Sequence, residues 1–196
     1  MCTRPPEILT PAEVKLILDA CDPRYLTGTR NRAIFALLYR TGLRISEALA
    51  LQVHDVNLEQ GTVRVLHGKG DKARTVGVDE GALVLLRKWT DRRTQHLKQV
   101  NLAPRELFIT RHGKPVPSAN LRRKLKQLAH KVGITKRVHL HGFRHTHACE
   151  LAQEGVQVNV IRRQLGHSSL AVTSRYLDHL HPTEVIDTIR ARKWSA

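Results

Sequence analysis

The sequence lacks several features that would place it in common protein classes. It has no apolar run near the roughly 20 residues that a membrane span needs. Its first ten residues, MCTRPPEILT, contain no apolar segment typical of a signal peptide. The three cysteines, Cys2, Cys21 and Cys149, lack the spacing of a disulfide framework or a zinc site. These absences predict a cytoplasmic protein with reduced thiols and no membrane partner.

Motifs for nucleotide and metal chemistry are also missing. There is no G-x-x-x-x-G-K-[ST] loop and no G-x-G-x-x-G after a predicted strand, which argues against ATP or dinucleotide use. Four histidines are close in sequence, but no carboxylate between Glu106 and Glu150 can complete or orient a metal site. These histidines are His139, His141, His145 and His147. We therefore expect no metal and no small-molecule cofactor.

Acidic residues are absent from the whole stretch 107–149, which we call the basic stretch. The same stretch holds ten lysines and arginines, and the 196-residue chain carries a formal net charge of +16. A solvated helix face usually mixes both signs of charge, whereas a field of one sign over a folded segment favours a polyanion partner. The basic stretch therefore predicts nucleic-acid binding.

The length allows one compact domain, and no Pro/Gly/Ser-rich linker divides it. The hydrophobic period predicts an α+β fold, mainly helical, with a small three-stranded antiparallel sheet. Two strands form a hairpin around Gly68–Asp71, and Leu107–Thr110 is the candidate third strand. The predicted helices cover residues 10–20, 29–40, 46–51, 80–99, 118–131, 142–154, 158–165, 169–177 and 183–192.

Six residues are suited to phosphoryl transfer, and they lie near the ends of predicted helices or in the hairpin turn. They are Arg44, Lys69, His141, Arg144, His167 and Tyr176. Two guanidinium groups match the charge that develops on nonbridging phosphate oxygens. A histidine can donate a hydrogen bond, a tyrosine can attack phosphorus, and a histidine and a lysine can serve as base and acid. Taken singly, each also has a structural interpretation. Arg44 can pair with Glu47, Lys69 can be a turn residue, and Tyr176 can be a core tyrosine.

The order and spacing of these residues resemble the tyrosine recombinase, or phage integrase, family. The resemblance is carried by Thr41-Gly-Leu-Arg-Ile-Ser-Glu47, Gly68-Lys-Gly70, His141-Gly-Phe-Arg-His145, Leu165-Gly-His167 and Tyr176, and it extends from about Ile8 to the C-terminus. It implies a site-specific recombinase or integrase that cleaves and rejoins double-stranded DNA through a 3′-phosphotyrosyl intermediate, without metal or ATP.

The resemblance also implies a role for each residue. Tyr176 would be the nucleophile, and His141 and Lys69 the base and the general acid. Arg44, Arg144 and His167 would bind the scissile phosphate. Family members act as tetramers on DNA, so a homo-oligomer is expected.

Family members usually carry an N-terminal core-binding domain, and we expect none here. Residues 1–196 are predicted to be one catalytic domain, with about 1–9 as a linker-like segment. Two alternatives stay open from the sequence. One is a type IB topoisomerase, which uses the same chemistry but rejoins the same strand. The other is a DNA-binding module without catalysis.

Overall fold

The computed structural model describes residues 7–66, 73–167 and 190. Within them the chain forms seven α-helices and a three-stranded sheet. The helices are α1 (Pro11–Asp19), α2 (Leu26–Thr41), α3 (Ile45–Ala50), α4 (Glu80–Val100), α5 (Ser118–Lys131), α6 (Leu140–Gln153) and α7 (Val158–Leu165). The strands are β1 (Val56–Asn57), β2 (Thr62–Val65) and β3 (Arg74–Gly77).

The core is built around α2, which packs against α1, α3, α4 and α6. Its buried face is nearly continuous from Ala33 to Tyr39. Phe35 meets Phe143 of α6 with ring centroids 5.9 Å apart. On the other side, Trp89 of α4 is fully buried and stacks on Phe108 at 6.3 Å. A helix that is apolar on most sides is stable only at the centre of a domain, and α2 is this centre.

The seven described helices lie where the sequence predicts them, with their ends shifted by at most three residues. The start of α1 is the expected capping box. The Thr10 hydroxyl accepts from the Glu13 N–H, and the Glu13 carboxylate accepts from the Thr10 N–H. Gly42 and Gly166 end α2 and α7 in the left-handed conformation that favours glycine.

The sheet has the order β1–β2–β3, and both pairs are antiparallel. Val63 faces Val76 and Val65 faces Arg74 across the β2–β3 pair. The antiparallel pairing of the two predicted hairpin strands and the three-stranded sheet are confirmed, but the predicted third strand is wrong. Its place is taken by Val56–Asn57, which pairs with Thr62–Val63. The predicted strand at Leu107–Thr110 makes only an isolated bridge between Ile109 and Pro115.

Side chains, rather than a neighbouring strand, occupy two main-chain acceptors of this segment. The Leu107 carbonyl accepts from the Trp89 indole at 2.9 Å, and the Ile109 carbonyl accepts from Arg30 Nη1 at 3.0 Å. Leu107, Phe108 and Ile109 are all fully buried, so the segment also lacks the in–out alternation of a strand at a solvent-facing sheet. Its β-like composition reflects burial.

Two of the predicted helices, 169–177 and 183–192, and the hairpin turn at 68–71 lie outside the described residues, apart from position 190. Among the helices that the structure describes, none combines the length and hydropathy of a membrane span.

Candidate active site

The turn that carries Arg44 joins α2 to α3 and depends on Gly42. This glycine has φ +64°. A Cβ there would lie well inside van der Waals contact with Leu165 Cδ2 and 2.9 Å from the ring of His147. Only glycine satisfies both the backbone conformation and this close approach. The turn is therefore packed directly against α6 and the end of α7.

Arg44 shares one buried carboxylate with Arg74, the first residue of β3. Glu47 is only 3% exposed at its side chain. It accepts from Arg44 Nη1 at 2.8 Å and from Arg74 Nη1 and Nη2 at 3.0 and 2.9 Å. Burial alone would raise the pKa of Glu47, but the hydrogen bonds and charges of Arg74 and Arg44 lower it to about 2. The predicted Arg44–Glu47 pair is present, and it uses only one corner of the Arg44 guanidinium.

Arg144, the fifth residue of α6, links the two turns of the site. Its side chain is among the largest fully buried ones in the protein. Nη1 donates to the Gly42 carbonyl at 2.6 Å, and Nη2 donates to the Leu165 carbonyl at 2.7 Å. Charge-assisted bonds of this length fix both the guanidinium and the two turns. Carbonyl oxygens are dipoles and not anions, so these two hydrogen bonds do not themselves neutralise the charge of Arg144.

His167 follows the αL turn at Gly166 and is 8% exposed. Its pKa is lowered to about 4, first by burial and then by the charges of Arg144, Arg44, His141 and Arg74, in that order of size. These interactions place His167 among the arginines. At neutral pH the imidazole is uncharged and keeps one N–H that can donate to an anion.

His141 is the second residue of α6, and its ring meets His145 edge-on with centroids 4.6 Å apart. The residue is exposed. Desolvation of the ring lowers its pKa, and Arg144, His139 and Arg44 add to the shift. The lowered pKa favours the neutral imidazole, which is the form that can accept a proton.

The structure thus brings together four of the six predicted residues: Arg44, His141, Arg144 and His167. Lys69 and Tyr176 lie outside the described residues, so their predicted roles stay predictions. The four-histidine metal site, already weak in the sequence, gains no support. Among residues 7–66, 73–167 and 190, no group of three or more metal-ligating side chains is close enough to hold an ion.

Sequence reasoning missed Arg74 and Gln164. Strand alternation places Arg74 on the same face as the buried Val76, and a cation on a core-facing position needs a buried partner. That signal was available in the sequence, although the partner was not. Gln164 ties α7 to β3, because its side chain accepts from the Gly77 N–H at 3.1 Å and donates to the Gly77 carbonyl at 2.9 Å.

A second positive surface lies on α5. Its apolar face, formed by Leu121, Leu125 and Leu128, is buried in the core. The other face is exposed and carries five cations from the basic stretch: Arg122, Arg123, Lys124, Lys126 and Lys131. We call it the basic face of α5. An amphipathic helix whose outer face is cationic matches the footprint of a phosphate backbone.

Comparison with known proteins is consistent with this geometry. Residues 7–182 match the Phage integrase family. Tyrosine recombinase XerD of Staphylococcus aureus is 35% identical over 172 residues, which are 87% of this chain and 57% of that protein. XerD of Staphylococcus saprophyticus is 34% identical with the same coverage. The chain therefore spans a little over half the length of these relatives.

Solved structures agree. The crystal structure of XerA recombinase has a TM-score of 0.80 and 28% identity, covering 98% of this chain and 68% of that one. A post-cleavage complex of XerH site-specific recombinase with palindromic difH substrate has a TM-score of 0.78 and 25% identity. The match covers 97% of this chain and 54% of that one. These similarities confirm the predicted fold class.

Proposed function

This chain belongs to the phage integrase family of tyrosine recombinases, and from that premise we propose that it cleaves and rejoins DNA strands through a 3′-phosphotyrosyl intermediate. The observation that carries the proposal is the arrangement around Gly42 and Leu165. There Arg144 holds the two turns that present Arg44 and His167. Convergent cations at a turn are what phosphoryl transfer requires, since its transition state spreads negative charge over the nonbridging oxygens.

The proposed reaction proceeds in two balanced steps. The Tyr176 oxygen attacks phosphorus, its proton passes to His141, and the bond from phosphorus to the 5′ oxygen breaks. Lys69 gives that oxygen a proton, so the products are a 3′-phosphotyrosyl link and a free 5′-hydroxyl. In the second step a 5′-hydroxyl from a partner strand loses its proton and attacks the phosphorus, the bond from phosphorus to the Tyr176 oxygen breaks, and that oxygen regains a proton, which restores a phosphodiester. The number of phosphoester bonds is unchanged, so no nucleotide hydrolysis is needed to drive the exchange.

Arg44, Arg144 and His167 act on the phosphate itself. Two fixed guanidinium groups and a neutral imidazole donate to nonbridging oxygens as the charge develops. Their placement also lowers the pKa of a phenol brought among them, because a nearby positive charge favours phenolate. Tyr176 would gain its reactivity in this way, starting from an ordinary pKa near 10.

Double-stranded DNA is the proposed substrate, bound partly by the basic face of α5. The complex with difH substrate is a property of XerH, and we extend to this chain only the class of ligand. Exchange of both strands between two duplexes needs four cleavages. A tetramer on DNA, with one tyrosine per cleavage, is therefore part of the proposal, as is a cytoplasmic location with the DNA.

The test is covalent trapping on nicked duplexes whose sequence is randomised around the nick. Cleavage beside a nick releases a short fragment that diffuses away, so the phosphotyrosyl adduct accumulates and survives denaturing gels. We expect an adduct whose sequenced junction shows a 3′ attachment. Tyr176→Phe should abolish it while DNA binding stays within about twofold.

Tyr25→Phe is the matched control, since Tyr25 is 63% exposed at the start of α2 and should leave the adduct unchanged. An undiminished adduct from Tyr176→Phe would refute the nucleophile assignment, and no adduct from the unaltered chain would refute the proposed cleavage. Relaxation of supercoiled plasmid without any strand exchange would identify the topoisomerase alternative instead.

A further inference from the structure

Arg74 is a buried cation in the sheet that borders the candidate active site. It opens β3 opposite Val65, and its side chain is 13% exposed. Its guanidinium donates two hydrogen bonds in bidentate fashion to the Glu47 carboxylate, from Nη1 at 3.0 Å and from Nη2 at 2.9 Å. Nε approaches the Gln164 carbonyl at 3.5 Å. Arg74 therefore connects the sheet to both α3 and α7.

Glu47 has its hydrogen-bonding capacity filled by two arginines. Besides the two bonds from Arg74, it accepts from the Arg44 main-chain N–H at 2.9 Å and from Arg44 Nη1 at 2.8 Å. Four donors match the roughly four lone-pair directions of a carboxylate. One negative charge is thus shared by two positive charges, and the group keeps a net charge of +1.

This sharing determines what Arg44 has left for a ligand. Among the described residues, only Nη1 of the Arg44 guanidinium is engaged, and Nε and Nη2 have no protein acceptor. Without Arg74, the buried Glu47 carboxylate would have Arg44 as its sole counter-charge. Uncompensated buried charges are costly, so Glu47 would then draw on more of the Arg44 guanidinium. Glu47 and the scissile phosphate would then compete for the same Arg44 donors.

Arg74 also packs on the turn that carries His167. A Cβ on Gly166 would lie 2.7 Å from Cζ and Nε of Arg74 and 2.9 Å from Cδ, so the guanidinium lies directly over this glycine. Gly166 is in the left-handed region at φ +67° and immediately precedes His167. The same side chain thus touches one turn of the site directly and the other through Glu47.

We propose that Arg74 is a positioning residue of the cleavage site, which neutralises Glu47 so that Arg44 can bind the scissile phosphate, and which fixes the turn before His167. The inference rests on the proposed strand-cleavage function. The proposal gives Arg74 no contact with DNA, so its effect on cleavage passes mainly through Glu47 and, to a smaller extent, through the turn at Gly166.

The experiment is a double-mutant cycle on single-turnover adduct formation, at saturating DNA and below the unfolding temperature of every variant. The unaltered chain must form the adduct first, which tests the proposed function separately. Arg74→Gln should then slow cleavage roughly 10- to 100-fold, the scale for displacement of a reacting group by about 1 Å. DNA affinity should change less than threefold. Arg74→Lys should fall in between, because it keeps the charge without the fork.

Glu47→Gln provides the decisive background. With the carboxylate neutralised, Arg44 no longer needs a second cation beside it, so Arg74→Gln should cost less than threefold there. Arg64→Gln is the matched control. Arg64 lies on β2, carries the same charge, is 55% exposed at its side chain and pairs with Asp55 instead of Glu47. It should cleave within about twofold of the unaltered chain.

Two results would overturn the proposal. If Arg74→Gln slows cleavage by the same factor in the otherwise unaltered chain and in the Glu47→Gln variant, and also weakens DNA binding, Arg74 binds DNA directly. If Arg74→Gln lowers only the unfolding temperature and the folded protein cleaves within threefold of the unaltered chain, Arg74 serves stability alone.

Discussion

Replacing Gly42 by alanine tests the geometry that holds Arg44, Arg144 and His167 together. The substitution adds one methyl group where φ is +64°, against Leu165 and His147. The Gly42 carbonyl is also the acceptor for Arg144 Nη1 at 2.6 Å. The added methyl group must therefore move either α7, α6 or the turn itself. Each of these carries a residue of the candidate active site.

The expected loss of stability has two parts. An alanine in the left-handed region costs about 1 kcal/mol, after allowing for the lower entropy of its unfolded chain. Forcing a methyl group into an already packed interior costs a further 1–3 kcal/mol or so. The free energy of unfolding should therefore fall by about 2–4 kcal/mol. A shift of the turn by about 1 Å should also slow cleavage by about 10²-fold.

Gly155→Ala is the matched control for the backbone part. Gly155 has φ +74°, and a Cβ there would meet no atom within 4 Å. This variant should lose about 1 kcal/mol in urea denaturation and cleave DNA within about twofold of the unaltered chain. If Gly42→Ala and Gly155→Ala lose the same stability to within about 0.5 kcal/mol, the close packing of Gly42 against Leu165 and His147 is refuted.

Three further predictions concern charge and proton transfer. His147 is 4% exposed. Burial and the charges of Arg40 and Arg144 lower its pKa to about 4, although Asp79 opposes the shift. Protonation of His147 therefore favours the unfolded state. Stability should fall by about 3 kcal/mol in total as pH drops from 6.5 toward 4. His147→Phe should flatten this decline in urea titrations at several pH values, and an unchanged decline would contradict the assignment. DNA binding should weaken with salt at a slope near −5 in log K against log salt if about six phosphates are neutralised, and a slope flatter than about −2 would exclude the basic stretch as the DNA face. Lys69→Ala should slow cleavage of ordinary DNA roughly 10²–10⁴-fold but approach the unaltered rate on a 5′-bridging phosphorothiolate, since a thiolate leaves without a proton. Arg144→Ala should show no such rescue, and equal slowness of both variants on the sulfur substrate would refute Lys69 as the acid.

Local signals predicted the helices well, because their physical causes lie within a few residues. The Thr10–Glu13 capping box and the terminating glycines Gly42 and Gly166 act over one turn of chain. The third strand was misplaced for the opposite reason. Leu107–Thr110 has a strand-like composition, but its Leu107 and Ile109 carbonyls accept from side chains of α4 and α2, which lie 18 and 79 positions away in sequence.

The sequence by itself determined the order of the motifs, the turns that present Arg44 and His167, and the positive charge of the basic stretch. Each follows from residue type and short spacing. Tertiary structure alone decided that Arg144 is buried between the Gly42 and Leu165 carbonyls and that Arg74 shares Glu47 with Arg44. These hydrogen bonds join residues 21 to 102 positions apart, and no local pattern specifies which acceptor a buried guanidinium will meet.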